Sequence, residues 1–307
     1  MIAYYFPTKV ILLDDNESFL RAIQENLKYN NFKIETHLNP NNVKNILCNG
    51  NLSKFNDNVF KETDGILLGD RAINVNLSNI IKLHSLRKET DHVSVLVIDN
   101  EMPQIKGLEF LKQLENKDAY RILLTGHVND QQVISAFNEG LIDSYINKAD
   151  INLSDNLLMT INAGIKKYFS KSSILIQQVI ESDKSRPTAL SDVNFEEFFF
   201  KLVRKKSIEE YYLIDAQGSY LMIDKLGNKY TLLILDYENS LAHLDMLQEN
   251  GIEEYISNKV ISKKTMLYCH SSKTKKITFF ELNEKIPNLN GFMYKIYDGD
   301  ILKLLRQ

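Results

Sequence analysis

The sequence lacks the marks of a membrane protein, a secreted protein and a zinc-binding module. It has no uninterrupted apolar run of about 18 residues, the length that a membrane-spanning helix requires. The opening segment reaches Asp14 and Asp15 too soon to be a signal peptide. The two cysteines, Cys48 and Cys269, provide neither a CxxC motif nor a disulfide framework, so we expect a reducing, cytoplasmic setting without a membrane. A net charge of −3 gives no indication of a protein that coats nucleic acid.

Strand-like and helix-like segments alternate through the first half of the chain. Continuous apolar runs at 9–13, 93–98 and 121–125 are typical of strands buried on both faces of a parallel sheet. Segments 32–37 and 144–147 are predicted as two further strands, with amphipathic helices between the strands. We therefore predict an α/β fold with a doubly wound five-stranded parallel sheet, followed by a long helix and a second, α+β domain.

A length of 307 residues indicates about two domains. We assign residues 1–152 to the first domain and residues 192–307 to the second. The first domain is predicted to carry an insertion at about 49–92, because residues 39–79 include 11 asparagines, which favour turns. Residues 153–185 are predicted as a connecting helix.

The connecting helix carries an apolar seam with alternating spacings of three and four residues. Such a seam predicts a two-stranded coiled coil and hence a homodimer through residues 153–183. The alternative is a helix packed on its own domain, which the additional apolar residues Leu157, Phe169 and Ile176 favour. The seam consists of Leu158, Ile161, Ile165, Tyr168, Ser172, Leu175 and Val179.

Chemically useful side chains stand at the ends of four predicted strands. Asp14 and Asp15 follow the first strand, Asp99 and Thr125 end the next two apolar runs, and Lys148 follows the fifth strand. The carboxyl ends of parallel strands form the binding edge of such a sheet, so we expect these side chains to meet there. Three carboxylates without histidine or cysteine suit Mg²⁺. With a lysine, a hydroxyl and a nucleophilic carboxylate, the parts for phosphoryl transfer to an aspartate are present.

Residues 8–168 resemble a response regulator receiver domain, which has a flavodoxin-like fold. The stretch from Asp99 to Gly107 matches the family pattern D-x-x-M-P-x-x-x-G. The resemblance implies that Asp99 accepts a phosphoryl group from a sensor histidine kinase or a phosphotransfer protein. It also implies that Asp14, Asp15, Asp99 and the backbone carbonyl of Glu101 bind Mg²⁺.

The same resemblance implies roles for residues at the later strand ends. Thr125 would be the switch hydroxyl, Lys148 would contact the phosphoryl group, and Tyr145 would be the switch aromatic. Ala149 departs from the family, which usually has proline there, so the bond before it is expected to be trans or strained. His127 is interpreted as a loop residue near the site, with a role in dephosphorylation as the alternative.

Residues 192–307 could act through protein–protein interaction, through nucleic acid binding or as an enzyme, and we expect protein–protein interaction. Segments 211–215, 220–224 and 230–235 predict an antiparallel meander, and a further hairpin is predicted at 264–281. Asp215, Asp224 and Asp236 end successive strands and are interpreted as turn residues, with a nucleotide-acting enzyme as the alternative. Six lysines at 257–280 suggest nucleic acid binding or a solvated hairpin edge. The architecture resembles the α-hydroxyketone quorum-sensing response regulators.

Overall fold

The structure is a computed structural model of the full chain. It describes all residues except the following: 29, 50–59, 65–70, 76, 78, 81, 83–91, 115–117, 127–129, 183–186, 242–257, 259, 261–265, 272–276 and 301–307.

The described residues up to 182 contain both helices and strands, and strands predominate after residue 182. The first part contains β1 (Tyr4–Tyr5), β2 (Lys9–Leu13), α1 (Glu17–Leu27), β3 (Lys33–His37), α2 (Pro40–Asn49), β4 (Phe60–Asp64), β5 (Arg71–Val75), β6 (Val93–Asp99), α3 (Gly107–Lys112), β7 (Tyr120–Thr125), α4 (Asp130–Asn138), β8 (Ser144–Asn147) and α5 (Leu153–Ser182). The second part contains α6 (Val193–Lys205), β9 (Ile208–Leu213), β10 (Tyr220–Asp224), β11 (Lys229–Asp236), β12 (Met266–Ser271), β13 (Ile277–Leu282), β14 (Glu284–Lys285) and β15 (Phe292–Asp298).

The predicted five-stranded parallel sheet is confirmed. Its strand order is β3-β2-β6-β7-β8, and every neighbouring pair is parallel. Strands β2 and β6 are buried along their whole length, as their continuous apolar runs predict. The order reverses between β2 and β6, so the carboxyl ends of these two strands flank the crevice where doubly wound sheets bind ligands.

The second domain is built on a six-stranded sheet with the order β1-β9-β10-β11-β15-β14. The predicted meander is confirmed, because β9, β10 and β11 pair antiparallel in sequence order. The predicted hairpin is confirmed as β12 paired with β13. Aromatic side chains fill much of this domain's core, with Phe199 of α6 packed against Tyr211 and Tyr220.

Contacts divide the chain into two compact units whose boundaries differ from the predicted ones. One unit contains residues 7–58 and 83–172, and the other contains 1–6, 59–82 and 173–307. Residues 1–6 belong with the second unit because β1 pairs antiparallel with β9, and the carbonyl of Ala3 accepts a hydrogen bond from the backbone N–H of Leu213 at 2.7 Å. The part of the insertion that forms the β4–β5 hairpin lies in the same unit.

Helix α5 buries the middle of its predicted dimer seam within the single chain. Ile161, Ile165 and Tyr168 are all buried there, so these side chains are not available to line a coiled coil with a second copy. The buried stripe is wider than the seam and includes Leu157 and Phe169. This stripe agrees with the alternative of a helix that packs against its own chain. In the part of the chain that the structure describes, no helix has both the length and the apolar character that a membrane span needs.

Candidate functional site

Three carboxylates meet at the carboxyl edge of the parallel sheet. Asp14 and Asp15 follow the last residue of β2, and Asp99 is the last residue of β6, so the pairing of these strands brings them together. One carboxylate oxygen from each residue lies within 4.8 Å of the others. Asp14 and Asp99 are 1% and 2% exposed, whereas Asp15 is open to solvent. The site therefore combines two buried acids with one accessible acid.

Lys148, which follows β8, joins the two buried acids. Its Nζ lies 2.6 Å from Oδ2 of Asp14 and 2.9 Å from Oδ1 of Asp99. Burial raises the pKa of Asp14 above its usual value, and the hydrogen bond from Lys148 only partly opposes that shift. Burial would lower the pKa of Lys148, but the hydrogen bonds to both carboxylates outweigh it, so this pKa is raised and the ammonium form is favoured.

The first turn of α1 is attached to the acidic cluster. The backbone N–H of Asn16 donates to Oδ1 of Asp14 at 2.9 Å. Asn16 is the N-cap of α1, and its side-chain Oδ1 accepts from the backbone N–H of Phe19 at 3.0 Å. The ring of Phe19 lies with its centroid 4.8 Å from Nζ of Lys148. Asn16 and Phe19 are thus neighbours of the site that the sequence analysis missed.

The loop that presents Lys148 is held by hydrogen bonds. The backbone N–H of Lys148 donates to the carbonyl of Thr125 at 2.9 Å. The backbone N–H of Ala149 donates to Oδ1 of Asn147 at 2.9 Å, a bond that proline could not make. No peptide bond among the described residues is cis, so the bond between Lys148 and Ala149 takes the trans alternative.

The other predicted site residues lie at different depths. Thr125, the last residue of β7, is buried at the end of the strand between β6 and β8. Glu101 follows β6 by two positions, and its side chain is exposed. Tyr145 on β8 is 49% exposed and borders a surface groove of about 370 Å³ with Ile134 and Phe137 of α4. His127 lies outside the described residues.

Gly107, the last residue of the D-x-x-M-P-x-x-x-G stretch, closes the loop after Asp99. Its backbone N–H donates to the carbonyl of Asn100 at 3.1 Å. A Cβ atom at this position would overlap the carbonyl oxygen of Asp99 and lie 3.0 Å from Cα of Asn100. The glycine therefore allows α3 to begin directly against the backbone that carries Asp99.

The donor set of the cluster fits Mg²⁺. Asp14, Asp15 and Asp99 offer carboxylate oxygens within 4.8 Å of one another, and hard oxygen ligands are those that Mg²⁺ prefers. Among the described residues, the ammonium of Lys148 forms ion pairs with Asp14 and Asp99, so one positive charge is set against three carboxylates and an excess of negative charge remains to attract a cation. The exposed Asp15 leaves an approach from solvent, which suits an ion that keeps several of its waters.

The alternative acidic site in the second domain does not converge. Asp215 accepts hydrogen bonds from the backbone N–H groups of Gln217, Gly218 and Ser219, and so closes a turn. Asp224 accepts from the backbone N–H groups of Leu226 and Asn228 in the β10–β11 turn. Asp236 accepts from the backbone N–H of Asn239. These contacts agree with the interpretation of the three aspartates as turn residues. The six lysines that suggested nucleic acid binding lie outside the described residues.

Comparison with known proteins gives a family match for the part of the chain that carries Asp99, Thr125 and Lys148. Residues 76–162 match the response regulator receiver domain family. The hydrogenase transcriptional regulatory protein HoxA of Cupriavidus necator is 32% identical over 76 residues, which are 24% of this chain and 15% of HoxA. This chain therefore spans only about 15% of the length of that relative.

The fold of the whole chain also has a counterpart among solved structures. The response regulator LqsR of Legionella pneumophila superposes with a TM-score of 0.72 at 23% identity, covering 98% of this chain and 90% of LqsR. At this identity the likeness establishes the shared fold. The family match shows that residues 76–162 are similar to a response regulator receiver domain, and the likeness to LqsR shows that this chain shares the fold of a parallel-sheet unit with an additional α+β domain.

Proposed function

We propose that this chain is a response regulator that is switched by phosphorylation of Asp99. The buried carboxylate of Asp99 would attack the phosphorus of a phosphohistidine on a sensor histidine kinase or phosphotransfer protein. A bond from the aspartate oxygen to phosphorus forms, and the bond from phosphorus to the histidine nitrogen breaks. The observation that carries the proposal is the convergence of Asp14, Asp15, Asp99 and Lys148 at the carboxyl edge of the parallel sheet.

The neighbours of Asp99 have distinct proposed roles. Asp14, Asp15, Asp99 and the backbone carbonyl of Glu101 would hold Mg²⁺, which supplies charge neutralisation for the phosphoryl oxygens when bound. Lys148 already lies 2.9 Å from Oδ1 of Asp99, which supports a role in pairing with the new phosphoryl group.

Two residues are proposed to communicate the phosphorylated state. The hydroxyl of Thr125 would donate to a phosphoryl oxygen, because this residue ends the strand next to the one that carries Asp99. Tyr145 is proposed as the switch aromatic. Its half-exposed ring beside a surface groove gives it space to change position when the charge at Asp99 changes.

Labelling with a small phosphodonor tests the proposal. The full chain is incubated with acetyl phosphate and Mg²⁺, and the phosphorylated fraction is separated by phosphate-affinity electrophoresis. Wild type should be labelled, and Asp99→Asn should not. Asp155→Asn, which changes an exposed aspartate in the first turn of α5, is the matched control and should be labelled like wild type. Labelling of Asp99→Asn at the wild-type level would refute the assignment.

Output by protein–protein interaction and dimerisation through residues 153–183 are part of the same proposal. Leu175 of the predicted seam is 40% exposed on α5, and the neighbouring Ile174 is also exposed, so the later part of this helix retains apolar surface for a partner. Light scattering of wild type and Leu175→Glu, with and without phosphodonor, tests the dimer. An identical mass in all four samples would contradict it. We also propose a role in quorum sensing, which rests on the resemblance of the architecture to the α-hydroxyketone quorum-sensing response regulators.

A further inference from the structure

Lys148 has a third neighbour besides the two carboxylates. The centroid of the Phe19 ring lies 4.8 Å from its Nζ. An ammonium group within about 6 Å of a ring centroid is attracted by the negative face of the ring. The same nitrogen contacts Asp14 and Asp99, so Phe19 completes a set of three groups around one charge.

Phe19 is itself fixed by the site that it borders. Its backbone N–H donates to Oδ1 of Asn16, and the backbone N–H of Asn16 donates to Oδ1 of Asp14. Asp14 then contacts Lys148, whose ammonium lies near the Phe19 ring. The four residues form a closed circuit of contacts between the first turn of α1 and the loop after β8. The place of the ring is therefore coupled to the place of the acidic cluster.

A lysine side chain needs such a support because it is long and flexible. The side chain of Lys148 is 21% exposed, and its ammonium group has four methylene groups of freedom behind it. The two ionic contacts fix the distance of the nitrogen from the carboxylates. A contact with the ring on α1 restricts the nitrogen from a further element of the fold.

We propose that Phe19 is a positioning residue that holds the ammonium of Lys148 against Asp14 and Asp99 through its ring face. The proposal rests on the function assigned above to Lys148 and Asp99. The ammonium contacts two of the carboxylates that would also bind a divalent cation, so it competes with that cation for them. A ring that stabilises the ammonium there strengthens the competition. Removing the ring should therefore tighten the binding of Mg²⁺.

A double-mutant cycle on Mg²⁺ binding separates this role from simple packing. Isothermal titration of the full chain with Mg²⁺ compares wild type, Phe19→Leu, Lys148→Met and the double variant. Phe19→Leu should tighten Mg²⁺ binding by about two- to fivefold, the range that corresponds to one partly exposed cation–π contact. The same change should have no effect in the Lys148→Met background, because the charge that the ring holds is gone. An equal effect in both backgrounds, or no effect in wild type, would overturn the proposal.

Three further variants complete the design. Phe19→Tyr keeps a ring face and should bind Mg²⁺ like wild type. Phe19→Met takes the place of Phe19→Leu if circular dichroism shows that the leucine variant is unfolded, since it fills a similar volume without a ring. Phe198→Leu changes another partly buried phenylalanine, which packs on Tyr294 in the second domain, and should leave Mg²⁺ binding unchanged. A shift in Phe198→Leu as large as that in Phe19→Leu would count against the proposal.

The rate of phosphorylation is a second readout, and it distinguishes a failure of the positioning role from a failure of the proposed function. At saturating Mg²⁺, Phe19→Leu should slow the labelling of Asp99 by acetyl phosphate by about two- to fivefold, because the ammonium that would pair with the incoming phosphoryl group is less well held, and Phe19→Tyr should not. If wild type is not labelled at Asp99, the proposed function fails, whatever the cycle on Mg²⁺ shows. If wild type is labelled and Phe19→Leu matches it in both rate and Mg²⁺ affinity, the positioning role fails and the proposed function stands.

Discussion

Replacing Gly107 by alanine tests how closely α3 approaches the backbone that carries Asp99. The added methyl group would overlap the carbonyl oxygen of Asp99 and approach Cα of Asn100 to 3.0 Å. Both atoms belong to the backbone at the end of β6, so they cannot turn aside as a flexible side chain would. The first turn of α3 must move away, which also strains the hydrogen bond from the N–H of Gly107 to the carbonyl of Asn100.

The expected size of the effect follows from two opposing contributions. Overpacking of a close contact costs about 1–3 kcal/mol, and a clash with backbone belongs at the upper end of that range. Replacing glycine restricts the unfolded chain and returns about 0.4–1 kcal/mol. The net loss should be about 2 kcal/mol. For a urea dependence of about 2 kcal/mol per molar, the unfolding midpoint should fall by roughly 1 M.

Urea unfolding followed by circular dichroism measures this loss, and the chain supplies a matched control. A Cβ at Gly126 would have no atom within 4 Å, so Gly126→Ala should leave the midpoint unchanged or raise it slightly. Gly107→Ala should also reduce labelling of Asp99, because the loop that follows the proposed acceptor is displaced. Equal midpoints for the two alanine variants would refute the reasoning.

Two further substitutions test contacts inside the unit that contains the parallel sheet. The hydrogen bond from Lys9 to Glu35, at 2.7 Å, lowers the pKa of Glu35 below its ordinary 4.5. The stabilisation that this ion pair gives the folded state is complete above pH 4.5 and is lost as the pH falls through the lowered pKa. Glu35→Gln should therefore lower the free energy of unfolding by about 1 kcal/mol at pH 7 and by progressively less in acid. A difference between the two proteins that is independent of pH, measured by urea unfolding, would contradict this account. Gly164→Ala would place a methyl group 2.5 Å from Cδ1 of Tyr120, so it should lower the melting temperature although alanine favours helices by about 1 kcal/mol. A raised melting temperature would show that the ring of Tyr120 moves aside.

The parallel sheet could be predicted from sequence because its strands are continuous apolar runs. Strands β2 and β6 are buried on both faces, and such burial leaves a strong signal in a few consecutive residues. Strand β1 was missed because it has only two residues, and its partner β9 lies some two hundred positions later in the chain. Strand β15 was missed because residues 292–298 do not alternate apolar and polar side chains, and its position depends on pairing with β11.

The residues of the site that stand at strand ends could be predicted from the sequence. Strand topology brings Asp14, Asp15 and Asp99 to one edge, so their order in the sequence was sufficient. The contact of Phe19 with Lys148 could not be foreseen, because an aromatic residue on an amphipathic helix ordinarily indicates core packing. The hydrogen bond from Ala149 to the side chain of Asn147 could not be predicted from the sequence either, since it depends on the path of one loop.

The seam on α5 illustrates a limit of periodicity. Spacings of three and four residues predict that one face of a helix is covered, but they do not identify what covers it. In the structure Ile161, Ile165 and Tyr168 are buried within the single chain, while Leu175 remains partly exposed. The dimer prediction therefore depends on the later turns of the helix.

Direct location of the phosphoryl group tests the central proposal most simply. The full chain is treated with acetyl phosphate and Mg²⁺, then with borohydride, which reduces an aspartyl phosphate to homoserine, and peptides are sequenced by mass spectrometry. We predict homoserine in place of Asp99 and unmodified aspartate at Asp14 and Asp15. Homoserine at another aspartate, or its absence from every peptide of protein that binds Mg²⁺, would contradict the account.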